Sequence, residues 1–142
     1  MKKSGILLFI FCSCILSCKT IDVENTNQSS DELYTANYEV ISMKGRELDK
    51  KKPTIYINAD ENAVSGNATC NDYRFEFKMN DKQVQMNRGI STKMYCEDEM
   101  EIERSFMGLM GNVSFISQSD EFLYLKDADN KLLIKAKKYK RS

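Results

Sequence analysis

From Tyr38 to Lys137 the apolar residues fall mostly at every second position, the period of a strand with one face turned inward. The run Tyr38 to Met43 is rich in β-formers and stops at Lys44-Gly45. Thr54 to Ile57 follows Pro53, the only proline, and Ala63 to Gly66 is a short run that ends on a glycine. Tyr73-Arg74-Phe75-Glu76-Phe77-Lys78-Met79 alternates without error. Asn80-Asp81-Lys82 supplies turn chemistry and Val84 to Asn87 resumes the alternation, so the two segments predict a β-hairpin. Three strands close the chain at Val113–Ile116, Phe122–Leu125 and Leu132–Ala136. Phe122 to Leu125 does not alternate, which predicts a strand covered on both faces.

One stretch has a different period. Ile102, Phe106, Leu109 and Met110 recur at helical spacing, and Met100 and Met107 widen the stripe. Glu97, Asp98 and Glu99 put negative charge where a helix N-terminus favours it, and Gly111-Asn112 is a stop signal. A methionine-rich stripe serves either as core or as an adaptable binding surface, and packing against the sheet is the reading adopted. The predicted fold class is α+β: a curled antiparallel β-sheet of about seven or eight strands with one amphipathic α-helix.

The N-terminus does not follow either pattern. Lys2 and Lys3 precede an apolar run from Ile6 to Leu16, too short to span a bilayer as a helix. The run ends in Ile15-Leu16-Ser17-Cys18, which resembles a bacterial lipobox. That resemblance implies cleavage between Ser17 and Cys18 and lipidation of Cys18, with two or more acyl chains making a stable anchor where one would be marginal. The expected organisation is a signal peptide over 1–17, a flexible tether over 18–36, a folded domain over 37–138 and a basic tail over 139–142. The tether is polar and without apolar period, and its root-mean-square span is about 20–25 Å. The expected location is the bacterial cell envelope, anchored at the outer membrane on its periplasmic or surface face.

Charge and cysteine usage narrow the chemistry. Removing residues 1–17 takes two of the 21 basic side chains and leaves 19 against 21 acidic ones, a balance that gives no reason to expect nucleic acid. Of five cysteines, Cys12 and Cys14 fall in the signal and Cys18 takes the lipid. Cys70 and Cys96 remain, an even pair in an exported domain, and that arithmetic favours a disulfide. The alternatives are a metal pair and a reactive thiol. The chain contains no histidine, so two thiols fall short of a structural zinc set, and a catalytic thiol lacks its commonest partner, although Lys93 lies near Cys96. No metal or cofactor is expected.

Taken together, Ser65-Gly66-Asn67-Ala68-Thr69-Cys70-Asn71-Asp72-Tyr73 is similar to the Gly-Cys-Asn-aromatic segment of the META domain (HslJ-like) family. Thr92-Lys93-Met94-Tyr95-Cys96 resembles that family's Thr-Arg/Lys-Met-x-Cys segment, and Glu103 to Leu109 its helix. Leu123 to Asp127 and Leu132 to Ile134 match the closing strands. The motif positions are therefore Gly66, Asn71, Tyr73, Thr92, Lys93 and Met94. Three residues depart from the pattern. Thr69 stands where glycine is frequent, Asp72 where a basic residue is usual, and Tyr38 where the first strand usually has tryptophan. The resemblance implies a small α+β unit, frequent on envelope lipoproteins and associated with stress or drug tolerance, with no catalytic residues to carry over.

The expected function is thus non-enzymatic: a membrane-anchored lipoprotein, monomeric, acting through binding in envelope stress or drug tolerance. The alternative is an inhibitor or ligand-binding module for an envelope protein or small ligand. Catalysis has little to build on, with no phosphate loop, no nucleophile elbow and only exposed carboxylate pairs such as Asp98 with Glu101. Asp127, Asp129 and Asn130 hint at a calcium loop, but Lys131 breaks it and a hairpin turn is the simpler reading. Lys135, Lys137, Lys138, Lys140 and Arg141 form a basic end, read either as a contact for anionic polymer or as a solvated edge strand.

Overall fold

The computed structural model describes residues 32–140. Ser17, Cys18, the signal, most of the expected tether and Arg141 lie outside the described residues. No helix among the described residues is long and apolar enough to cross a membrane.

Among the described residues, ten strands and one helix follow in the order β1 (Ala36–Met43), β2 (Arg46–Glu47), β3 (Thr54–Asn58), β4 (Ala63–Asn67), β5 (Asp72–Asn80), β6 (Gln83–Met86), β7 (Ile90–Ser91), α1 (Met100–Met110), β8 (Phe115–Gln118), β9 (Phe122–Lys126) and β10 (Leu132–Lys138). The α+β expectation is met, with eight substantial strands. The two that the pattern missed, β2 and β7, are two residues long and carry no readable period. The sheet runs β6-β5-β4-β3-β1-β10-β9-β8, with β2 paired to β1 and β7 to β5, and the pairings are antiparallel. It curls until its two edges meet. The Val84 N–H, on β6, donates to the Ser114 carbonyl just before β8 at 2.8 Å.

Inside the curl, Tyr38, Val40, Ile55, Ile57, Val64, Phe75, Leu123, Leu125 and Ile134 are buried, as alternation demands. Helix α1 contributes Phe106, Leu109 and Met110 to the same core. Phe106 meets the Tyr73 ring edge-on, with centroids 5.2 Å apart. Filling this space with one aromatic of that size stabilises the fold by roughly 1.5–3 kcal/mol. The helix starts without a side-chain cap, but Glu101 and Glu103 lie in its first turn. It ends because Gly111 and Asn112 bond back to the carbonyls of Met107 and Leu109, and the Asn112 side chain donates to the Gly108 carbonyl at 2.7 Å. Burial makes the Tyr38 and Tyr73 hydroxyls harder to ionise than free tyrosine.

Four sequence readings change. The buried stripe of α1 includes a carboxylate, Glu103, whereas Ile102 and Met107 are only half-buried. Strand β9 has one buried face, Leu123 and Leu125; its outer aromatics Phe122 and Tyr124 are covered by the Lys135 ammonium, 4.3 Å and 5.8 Å from their centroids. Strand β10 is not an edge, since it lies between β1 and β9. Lys135 and Lys137 sit on its outer face, while Lys138, opposite Tyr38 at the exposed end of the strand, stacks over the Tyr34 ring at 4.5 Å. Finally, ordered structure reaches back into residues assigned to the tether. The Gln118 side chain accepts from the Tyr34 N–H and donates to the Tyr34 carbonyl, both at 2.8 Å, and also donates to the Tyr38 hydroxyl at 2.9 Å. The turn between β9 and β10 is a hairpin turn, with Asp127 Oδ1 accepting from the N–H groups of Asp129 and Lys131.

Gly66 shows how tightly β3 and β4 approach. A Cβ there would lie 2.1 Å from the Thr54 carbonyl oxygen. That same oxygen accepts the Tyr73 hydroxyl at 2.9 Å. Gly66→Ala is expected to push β3 away and break the Tyr73 bond, lowering stability by about 2–4 kcal/mol in chemical denaturation. An unchanged midpoint would show that the contact is dispensable.

Candidate functional site

The motif residues converge at one end of the sheet, around the loop between β4 and β5. Cys70 and Cys96 are disulfide-bonded, with Cα atoms 6.0 Å apart. Cys70 is buried and Cys96 half-buried. Next to the bridge, Asn71 is 2 % exposed and uses every polar atom of its side chain. Its Nδ2 donates to Glu103 Oε1 at 2.9 Å and to the Met94 carbonyl at 3.0 Å. Its Oδ1 accepts from the Met94 N–H at 2.7 Å and the Thr92 hydroxyl at 2.8 Å. The Asn71 backbone N–H donates to Glu103 Oε2 at 2.8 Å. A buried polar group costs stability unless it is paired, and here the pairing joins three separate segments: the loop, the stretch 92–96 and α1.

The neighbouring backbone is strained. Thr69, in the glycine-like position, has φ +97°, a conformation that a β-branched residue rarely adopts. It is held from both sides: its N–H donates to Asn67 Oδ1 at 2.9 Å, and the disulfide follows immediately. The carboxylate of Asp72, which stands where a basic residue is usual, accepts from Asn67 Nδ2 at 2.9 Å. Glu99, just before α1, is ion-paired with Lys51, which raises the lysine's pKa.

Thus Gly66, Cys70, Asn71, Tyr73, Thr92 and Cys96 meet in one cluster, and the bonds they make are internal. Lys93 and Met94 behave differently. Their backbone is pinned through Met94, but both side chains face solvent. Met94 is 59 % exposed, Tyr95 80 % and Ile90 68 %. These three apolar side chains are spaced along one exposed stretch, the 90–95 ridge, held by strand β7, by Asn71 and by the disulfide. A rigid backbone lowers the ordering cost of binding, and Tyr and Met are side chains that interfaces favour. Sequence reasoning found Met94 as a motif residue but missed Ile90 and Tyr95, because exposure of an apolar side chain is invisible in a pattern.

The ridge has a fixed place in the sheet. It lies beside the Asn67–Asp72 end of the β4–β5 pair. The described chain enters β1 at Ala36, which pairs with Ile57 next to the β3–β4 turn. The ridge and the N-terminal approach therefore sit towards opposite ends of β4, roughly 13 Å apart along the strand. A separate concavity of about 730 Å³ lies between the β5–β6 turn and the β9–β10 turn. Its rim carries charges of both signs, Lys44 and Lys131 with Asp127 and Asp129, and Asp127 is already engaged in the turn.

The META domain family model matches residues 31–140, and the chain belongs to that family. The fold is similar to the NMR structure of a protein from Burkholderia xenovorans, with TM-score 0.58 and 14 % identity over 75 % of this chain and 83 % of that one. A second NMR structure is similar with TM-score 0.54 and 20 % identity, covering 72 % of this chain and 87 % of the other. At these identities the likeness concerns the fold alone. No curated protein matches the chain.

The strain at Thr69 has a direct test. Both Thr69→Gly and Thr69→Ala remove the hydroxyl, but only glycine relaxes at φ +97°. Thr69→Gly is expected to be more stable than Thr69→Ala by about 1–2 kcal/mol. Equal stabilities would mean that the position carries no strain.

Proposed function

We propose that this chain is a lipoprotein of the bacterial cell envelope, held to its membrane at Cys18, that acts by binding a protein partner rather than by catalysis. The observation that carries the reading is the contrast within the motif. Cys70, Asn71, Tyr73, Thr92 and Cys96 are engaged in internal bonds, while Met94 of the motif and its neighbours Ile90 and Tyr95 are presented to solvent on a backbone that cannot easily move.

The placement of the ridge agrees with this role. A chain tethered through its N-terminus presents the opposite end of β4 away from the lipid surface, where a partner can reach it. Exposed charges of both signs, Arg88, Lys93, Glu97 and Asp98, lie next to these residues in sequence, and interfaces commonly have a polar rim. Binding of this kind fits a part in envelope stress or drug tolerance. An inhibitor would use the same surface and differ only in what binding does to the partner.

Two measurements test the proposal together. Cys18→Ala is expected to move the protein from the membrane to the soluble fraction. A photo-crosslinker at Tyr95, in living cells, is expected to join one envelope protein reproducibly, while the same group at Asp129 does not. Ile90→Ser combined with Met94→Ser is expected to lower that adduct by about tenfold or more. Retention of the Cys18 variant at the membrane overturns the anchor, and equal labelling from both positions overturns the ridge.

A further inference from the structure

We infer that Cys70, Cys96 and Glu99 form a redox-gated site for a thiophilic divalent cation such as Zn²⁺, closed by the disulfide and opened by its reduction. This is independent of the ridge and its partner. Two thiols alone fall short of a zinc set, which is why the sequence gives no metal. The fold adds a third donor from the start of α1. The two sulfurs and a Glu99 carboxylate oxygen lie within 4.8 Å of one another. In a tetrahedral zinc site, bond lengths of about 2.3 Å to sulfur and about 2.0–2.2 Å to oxygen put the donors roughly 3.3–3.8 Å apart. Small side-chain rotations bridge that difference.

The decisive point is what holds the donors when the S–S bond is gone. Cys70 precedes Asn71, whose side chain grips Met94 through both its N–H and its carbonyl. Cys96 is two residues further on, and its carbonyl accepts the N–H groups of Glu99 and Met100 at 3.1 Å and 3.2 Å. The Asn71–Glu103 bonds then fix this loop to the same helix that Glu99 precedes. All three donors are therefore positioned by hydrogen bonds that owe nothing to the disulfide. Cys96 and Glu99 are half-buried, which gives a cation a way in, and Cys70 is buried behind them.

The chemistry balances. A dithiol or phosphine reductant supplies two electrons, and with two protons the disulfide becomes two thiols. The cation then displaces both thiol protons and binds two thiolates and one carboxylate, with water in the fourth position. The Lys51 ammonium beside Glu99 offsets the remaining negative charge.

The test uses the full chain with Cys12, Cys14 and Cys18 changed to Ser, so that two thiols remain. After phosphine reduction, Co²⁺ is added as the probe. One equivalent is expected to bind with a thiolate-to-cobalt absorption band and to be displaced by Zn²⁺. The oxidised protein is expected to show no band, and Cys96→Ser to lose it. Glu99→Gln is expected to weaken binding by about tenfold or more. Absence of the band, an equal response from oxidised protein, or a Glu99→Gln variant with unchanged affinity would overturn the site. Loss of the native circular dichroism on reduction alone would also overturn it, because the site requires the loop to survive without the S–S bond.

Discussion

A side-chain amide taken out of water must find four hydrogen bonds or lose stability for each one missing. Asn71 finds all four, and the rest of this structure is arranged around that fact. The bonds reach the carbonyl and N–H of Met94, the Thr92 hydroxyl and the Glu103 carboxylate. One residue thus locks the β4–β5 loop to a segment about 20 residues later and to the helix after it. The disulfide adds a covalent link between the same segments, and closing a loop of this length is worth roughly 3–4 kcal/mol in the chain-entropy account. It reinforces a junction that the hydrogen bonds already define. The unusual backbone at Thr69 persists for the same reason: its neighbours on both sides are fixed.

Much of this was legible in the sequence. Period-two alternation in Tyr73 to Phe77 found the strand and its buried face, because burial on one side leaves a direct imprint on residue type. Cysteine arithmetic favoured the Cys70–Cys96 bridge, since compartment and count leave few partners. The failures share a cause, which is that pattern reads chemistry and not position. Glu103 is charged and so reads as surface, yet it is 8 % exposed and holds Asn71. Lysines in β10 suggested an edge, but outward-facing lysines suit an interior strand of a curled sheet equally well. Phe122 and Tyr124 suggested a second covering layer, and a lysine side chain does the covering. Glu99 gave no sign that it would stand beside the sulfurs, because that depends on where α1 begins in space.

The departures from the family pattern are informative in this light. A position that is frequently glycine has φ +97° here, so the preference for glycine reflects backbone geometry, and threonine is accommodated at a cost in strain. Tyr38 fills the place of a usual tryptophan, and its smaller ring leaves a hydroxyl that Gln118 satisfies. Cysteine, asparagine and threonine of the motif are likewise structural. Membership in the family therefore speaks for the fold, while the proposed binding role would rest on exposed side chains of which only Met94 is a motif position. Ile90, Met94 and Tyr95 are the exposed apolar side chains on which that proposal stands.

Asn71 pins an otherwise exposed stretch, and amide hydrogen exchange at Met94 measures this directly. The Met94 N–H is bonded to Asn71 Oδ1 although the Met94 side chain is largely exposed. Slow exchange is expected, with an opening free energy within about 1–2 kcal/mol of global unfolding. Exchange at the rate of an unstructured peptide would contradict it.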